Sequence, residues 1–141
     1  VGLTIVGRNP SSSVQKLAEN VDITVTGNVP DVRVFYEKNL VSVVPLRSGG
    51  GTRLKIVEAM STGTPVVSTS IGSEGLDVVD GVNIMIADTP EDFAAKTVRL
   101  LSEDETWNKI SSEGRSLVER KYDWDAITSS LHDTYKRLLA S

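Results

Sequence analysis

The sequence predicts an α/β fold built on a mostly parallel sheet, and three observations carry that reading. Short apolar segments of strand character recur at residues 1–6, 23–26, 40–46, 65–69 and 84–86 of the 141-residue chain. Segments with helical spacing of apolar residues separate them, the arrangement of successive βαβ units. The first four strand segments give way within two residues to Gly or Ser, so the turns follow the carboxyl ends, where sheets of this kind bind ligands.

The first strand carries Val1, Leu3, Ile5 and Val6 and stops at Gly7; a chain that opens inside a strand without Met is expected to be an excised fragment. Residues 11–20 place Val14, Leu17 and Ala18 on one face of a short helix. Ile23-Thr24-Val25-Thr26 forms the second strand, ended by Gly27 and Asn28, and Pro30-Asp31 opens a helical turn carrying Val34, Phe35 and Tyr36. Residues 40–46 are a nearly continuous apolar run, the pattern of a strand buried on both faces. Ser48-Gly49-Gly50-Gly51-Thr52 then leads into a helix over 53–61, with Gly63 as its stop and Pro65 as the restart into the next strand.

Three helices end the chain. Thr89-Pro90-Glu91-Asp92 is a capped start with Pro at the first helical position. Ser102 and Glu105 have capping-box spacing ahead of Trp107, Ile110, Leu117 and Val118. Asp123 caps an amphipathic helix over 123–141, whose Trp124, Ile127, Leu131, Tyr135 and Leu138 recur at intervals of 3, 4, 4 and 3. This stripe and Trp107 are expected to be core packing.

Composition narrows the function. Fifteen Lys and Arg against 19 Asp and Glu give a formal charge of −4, with 39% apolar and 24% charged residues. That balance excludes disordered and collagen-like chains. It also argues against a nucleic-acid or anionic-membrane partner, which requires a basic surface. With no Cys, disulfides, thiolate metal sites, iron–sulfur clusters and thiol nucleophiles are all excluded. No apolar run approaches the ~20 residues of a membrane span and no signal-peptide pattern opens the chain, so a cytoplasmic domain is expected.

Chemistry is therefore sought at Gly7-Arg8-Asn9, Gly27-Asn28, residues 47–52 and residues 69–74. The glycine triplet lets the backbone approach a ligand closely and, placed before a helix, aims N–H groups and the positive end of the helix dipole at an anion. Arg47, Thr52, Arg53 and Lys55 flank it; the alternative is a flexible strand-to-helix turn. Glu58 follows Thr52 by six residues, ~9 Å along a helix, about the distance from a diphosphate to the far ribose of a nucleotide. A carboxylate accepts from sugar hydroxyls; the alternative is a solvated carboxylate near Lys55. Arg8 could grip a phosphate bidentately, and Glu74 lies among glycines at a strand end. The only histidine, His132, sits on the last helix far from these loops, and no H-E-x-x-H or Ser-His-Asp pattern supports a metal or nucleophile site.

The segments Val43-Val44-Pro45-Leu46, Gly49-Gly50-Gly51-Thr52-Arg53-Leu54-Lys55-Ile56-Val57-Glu58-Ala59-Met60 and Gly63-Thr64-Pro65-Val66-Val67-Ser68-Thr69 resemble the C-terminal domain of family 4 retaining glycosyltransferases. Leu3-Thr4-Ile5-Val6-Gly7-Arg8, Val25-Thr26-Gly27-Asn28-Val29, Asp80-Gly81-Val82-Asn83 and Tyr122-Asp123-Trp124 extend the resemblance over essentially the whole chain. It implies the C-terminal half of a GT-B fold: a single Rossmann-like, three-layer αβα domain over 1–141 that binds a nucleotide-sugar donor, the acceptor belonging to a missing N-terminal domain. Glu58 aligns with the second glutamate of the Glu-x7-Glu signature and would hold the donor ribose. Gly50 stands at the first, where the family has a carboxylate touching the donor sugar; a subset of the family carries this glycine version. Gly50, Gly51, Thr52, Arg53 and Lys55, with Arg8, would serve the diphosphate, and Gly27, Asn28 and Val29 would frame the base. No metal or other cofactor is expected, and no residue is marked as a catalytic nucleophile. The resemblance also places the domain's opening strand upstream of Val1, so a gap, a rearranged sheet or self-association through an exposed strand edge is expected. The alternative function is a non-catalytic nucleotide-diphosphate-binding or assembly module. A response-regulator-like domain fits poorly, because the strand ends here are glycine-rich and basic rather than acidic.

Overall fold

A computed structural model describes residues 1–51 and 53–139. The chain divides into two compact units, Val1–Phe35 and Tyr36–Ser141. The first is one βαβ unit. Strands β1 (Leu3–Ile5) and β2 (Ile23–Val25) pair in parallel, Leu3 opposite Ile23 and Ile5 opposite Val25. Helix α1 (Ser12–Lys16) makes the crossover and tightens into a 3-10 turn at Leu17–Glu19. The Ser11 hydroxyl caps α1 by accepting from the Val14 N–H.

In the second unit, β3 (Ser42–Val44), β4 (Val66–Ser68) and β5 (Met85–Ile86) form a parallel sheet in that order. Helix α2 (Arg33–Lys38) precedes it, α3 (Leu54–Ser61) and the short α4 (Ser70–Ser73) lie between its strands, and α5 (Pro90–Ser102), α6 (Asp104–Lys121) and α7 (Trp124–Leu139) follow. Strand alternation sorts the core into two layers. Val44, Val66 and Ile84 pack with Ile56, Ala59 and Met60 of α3 and with Val118 of α6. Val67 and Met85 face the other way, onto Leu100 of α5 and Ile110 of α6. Helices thus cover both faces of this sheet, the three-layer αβα arrangement expected from the sequence.

Several element boundaries differ from the sequence reading. The apolar run 40–46 pairs only over Ser42–Val44, because Pro45 has no N–H and the Leu46 N–H turns back onto the Val44 carbonyl at 3.0 Å. Pro65 is not part of β4, though its carbonyl accepts from Ser42 N–H at 2.9 Å. Residues 70–73 form a helical turn that was expected to be loop. Its N-cap is Thr69, whose hydroxyl oxygen accepts from the Gly72 N–H. The expected Ser102–Glu105 capping box does not form. Ser102 ends α5 and donates its hydroxyl to the Val98 carbonyl, while the Glu103 carboxylate takes the junction by accepting from Arg99 and Thr106. The largest correction concerns α7, which buries none of its described residues: Trp124 is 80% exposed and Tyr135 58%. Its periodicity marks an apolar face, not a covered one. Trp107 is half-buried on α6, its indole N–H donating to the Leu40 carbonyl.

An ion-pair network ties β5 to α5. The Asp80 carboxylate accepts from the Ile86 N–H at 2.8 Å and from Lys96 Nζ at 2.9 Å, and Lys96 also meets Asp92. Burial pushes the Asp80 pKa up, but these hydrogen bonds outweigh it and hold the pKa below the ordinary aspartate value.

Gly72 has no room for a side chain: a Cβ there would lie 2.4 Å from Ser68 Oγ and 3.0 Å from both Thr69 Oγ1 and the Val44 carbonyl. At Gly50 a Cβ would meet nothing within 4 Å. Gly72→Ala is therefore expected to destabilise the chain by about 1–3 kcal/mol in urea denaturation, the cost of overpacking, whereas Gly50→Ala stays within about 0.5 kcal/mol.

Candidate functional site

After β3 the chain runs through an exposed loop to α3. Gly49 and Gly51 adopt φ of +149° and +90°, values that L side chains rarely take. A Cβ at Gly50 or Gly51 would meet no heavy atom, so the outer face of the loop is open. Arg53 is the N-cap of α3, and among the described residues no side chain caps the helix. Its first N–H groups and the positive end of its dipole are thus presented at the same place as the glycines. Thr52, predicted to serve a phosphate, lies outside the described residues.

The cations predicted beside this loop divide. Lys55 is exposed on the first turn of α3. Arg53 is only 7% exposed and turned inward: its Nη2 donates to the Gly49 carbonyl at 3.3 Å and to Glu74 Oε2 at 3.4 Å. Its Nε is buried with no hydrogen-bond partner among the described residues. Arg53 is therefore a brace from the start of α3 to the glycine loop and to the turn that follows α4. Helix α4 is itself tied down at its first residue: the Ser70 N–H and hydroxyl both donate to Asp88 Oδ1, at 2.8 and 2.9 Å. Glu74 stands at its end, with its side chain 75% exposed although its guanidinium partner is buried.

Glu58 is exposed on α3. Leu54, four residues earlier on the same face, is 59% exposed, so this face of α3 is open to solvent. Beside Glu58 lies a residue that sequence reasoning placed only in an apolar turn. The half-buried Tyr36 donates its hydroxyl to the Lys55 carbonyl at 3.4 Å. Burial raises the Tyr36 pKa, and the charge and hydrogen bonding of the neighbouring Glu58 carboxylate raise it further. The only sequence signal for Tyr36 was its place among Val34 and Phe35, which says nothing of a contact 22 residues away.

Within the first unit, two predicted residues meet: Arg8 Nε donates to Asn28 Oδ1 at 3.0 Å, both side chains being exposed. Asn9, next to Arg8, has φ +49°, a left-handed conformation that Asn tolerates. Gly27 is exposed and Val29 half-buried in the segment that follows β2. His132 is exposed on α7. Among the described residues, no group of three or more His, Asp or Glu side chains is placed to hold a metal ion, and no helix is long and apolar enough to cross a membrane.

The Tyr36–Glu58 contact can be read in solution. A phenol whose folded-state pKa lies above its unfolded value of about 10 stabilises the fold fully below that pH and loses the contribution as pH rises through the folded value. Among the three tyrosines, an ultraviolet absorbance titration should find Tyr36 ionising above the ordinary value. Glu58→Gln should lower that pKa without returning it to normal, since burial remains; an unmoved titration would place Glu58 away from the phenol.

Comparison with known proteins adds to this geometry. The model of the family described as glycosyl transferases group 1 matches residues 1–103. An uncharacterized glycosyltransferase of Methanocaldococcus jannaschii is 26% identical over 127 residues, covering 89% of this chain and 36% of the relative. Among solved structures, the C-terminal domain of the glycosyl transferase group 1 family protein LpcC from Francisella tularensis is 24% identical. It superposes with a TM-score of 0.68 over 79% of this chain and 60% of that one. The Anabaena protein HepE in complex with UDP-glucose is 19% identical, with a TM-score of 0.79 over 97% of this chain and 41% of that one. The chain spans about a third of the length of the curated relatives it first matches, 36% in two of them. The likeness to these structures identifies the fold as the Rossmann-like C-terminal domain of a GT-B glycosyltransferase.

Proposed function

Because the chain belongs to the glycosyl transferases group 1 family, we propose that it is the donor-binding part of a sugar-transferring enzyme and holds a nucleotide-diphosphate sugar. One observation carries the reading. An open glycine loop runs into the start of α3, which no described side chain caps, with Lys55 exposed on its first turn and the Glu58 carboxylate exposed farther along. The loop and helix N–H groups with Lys55 hold the diphosphate, and Glu58, ~7.5 Å beyond Arg53 along the helix, accepts from the ribose hydroxyls. HepE, which has the same fold, is bound to UDP-glucose in its solved complex.

In the transfer, the bond from the anomeric carbon to the β-phosphate oxygen breaks and the nucleoside diphosphate departs with the electron pair. The acceptor hydroxyl oxygen bonds to that carbon and releases its proton. The groups around the glycine loop stabilise the charge growing on the leaving diphosphate. The finer features belong to the same proposal: family 4 membership, retention of configuration, a cytoplasmic setting, independence from metal, an acceptor carried by an N-terminal domain, and Arg8 with Gly27, Asn28 and Val29 acting at the diphosphate and base. A non-catalytic nucleotide-diphosphate-binding module is the second reading, favoured by Gly50 standing where the signature has its first glutamate. β3 and β5 are edge strands of their sheet, so pairing of two copies across an edge is also proposed. Light scattering should then report a dimer at micromolar concentration, and a monomer would dismiss it.

The donor site is tested by a thermal-shift titration of the chain with UDP, GDP, ADP and inorganic phosphate. A ligand at 100 times its Kd stabilises the native state by about 2.7 kcal/mol. One nucleoside diphosphate is expected to raise the melting temperature where phosphate does not. Glu58→Ala should weaken that ligand more than tenfold, about 1.4 kcal/mol. No shift with any nucleotide would reject the donor site; an unchanged Kd in the variant would reject the ribose contact.

A further inference from the structure

The pair formed by Arg53 and Glu74 is lopsided. The cation is 7% exposed, the carboxylate 75%, and they meet at 3.4 Å. An ion pair that served only to fill an interior would bury both partners, since a buried guanidinium is costly unless its charge is met by a desolvated neighbour. Here the guanidinium instead fixes one carboxylate oxygen from below and leaves the remaining acceptor positions of Glu74 facing outward. The same Nη2 also donates to the carbonyl of Gly49, so Glu74 is tied to the glycine loop and not merely near it. Next to that anchor, the space over Gly50 and Gly51 is empty of protein atoms.

Because Arg53 joins Glu74 to Gly49, the exposed groups follow an order: the Glu74 carboxylate, the glycine loop with the start of α3, then the Glu58 carboxylate farther along the same helix. An anion-accepting stretch lies between two acceptors of hydroxyl hydrogen bonds. A nucleoside diphosphate sugar has the matching order of sugar hydroxyls, diphosphate and ribose hydroxyls. With the ribose at Glu58, the group beyond the second phosphate falls on the Glu74 side. We propose that Glu74 contacts the hydroxyls of the transferred sugar and sets sugar preference, and that Arg53 is a positioning residue that aims it. The inference rests on the donor-site reading above. It gives Arg53 a role that does not require it to touch the diphosphate.

The test compares a nucleoside diphosphate with its sugar conjugate, on the chain itself. Binding of UDP, GDP and ADP, and of UDP-glucose, GDP-mannose and ADP-glucose, is measured by calorimetry for the wild type, Glu74→Gln and Arg53→Lys. Glu74→Gln keeps a side-chain oxygen that can accept from Arg53 Nη2, and a melting curve for each variant verifies that it is folded before binding is compared. For the conjugate bound most tightly by the wild type, its affinity relative to the parent diphosphate should fall at least fivefold in Glu74→Gln, while the Kd of the diphosphate moves less than twofold. Arg53→Lys, which keeps the charge but loses the fork that reaches both Gly49 and Glu74, should lower the same ratio to a lesser degree. A ratio that is unchanged or raised in Glu74→Gln, or diphosphate and conjugate weakened in parallel, overturns the sugar contact. A wild type that binds none of the three diphosphates overturns the donor site itself, and the two failures are thereby distinguished.

Discussion

Strand β4 is the constraint on which the second unit depends. Val66, Val67 and Ser68 are all fully buried, between β3 and β5 at the edges and between helices on both faces. A strand in that position must send alternate side chains into two separate apolar layers. It must also satisfy every polar group it carries without water. Ser68 meets this by donating toward the Val44 and Thr69 carbonyls, and Thr69 by donating to the Leu46 carbonyl. These bonds stitch the carboxyl end of β4 to that of β3. The glycine loop and the α4 turn are neighbours because burying β4 requires it, and the close approach at Gly72 is the steric consequence.

Against that background Arg53 stands apart from the other described ion pairs. Arg99–Glu103, Arg115–Glu119 and Lys121–Asp77 join side chains that are half exposed or more, and each is worth about 0–1 kcal/mol. Two of them join side chains four residues apart, and the third joins the end of α6 to Asp77 at the surface. Arg53 carries a full charge into the protein with one carbonyl and one exposed carboxylate to meet it, and leaves Nε without a partner among the described residues. Such an arrangement is poor as a stabilising device, since desolvation offsets most of the attraction. It makes sense as a geometric one, because a planar guanidinium holds two partners at fixed directions.

The order of strands and helices could be read from apolar spacing because burial on one or two faces leaves a periodic trace. What failed depended on atoms that spacing does not register. β3 ends early because Pro45 lacks an N–H and Leu46 folds back. Ser102 was a plausible cap until its hydroxyl was found bonded one turn back. The α7 stripe has the spacing of a buried face, yet periodicity cannot say whether a surface exists to receive it. In the proposed site, the glycine loop and Glu58 were legible as candidates because phosphate and sugar chemistry ask for those residue types at that interval. Tyr36 was not, since a phenol in an apolar turn becomes a neighbour of Glu58 only once the chain has folded. Arg53 was legible as a cation of this loop but not as a buried one, because its charge argues for the surface.

Tyr36 and Arg53 share a logic that neither shows alone. Each exposed carboxylate of the proposed site has a protein group beside it: the Tyr36 phenol, its hydroxyl donated to the Lys55 carbonyl, next to Glu58, and the Arg53 guanidinium on Glu74. A free glutamate side chain loses up to about 1.5–2 kcal/mol of rotamer freedom when it is fixed, and a ligand that must order it bears that loss. A carboxylate already held along one edge has given up part of that freedom in folding, and its other acceptor positions stay directed at solvent. The two neighbours differ. A half-buried phenol lies beside Glu58, while a buried cation both anchors Glu74 and ties it to the backbone of the glycine loop. Glu74 is thus preorganised by folding, held by Arg53 to the start of α3 and to the glycine loop.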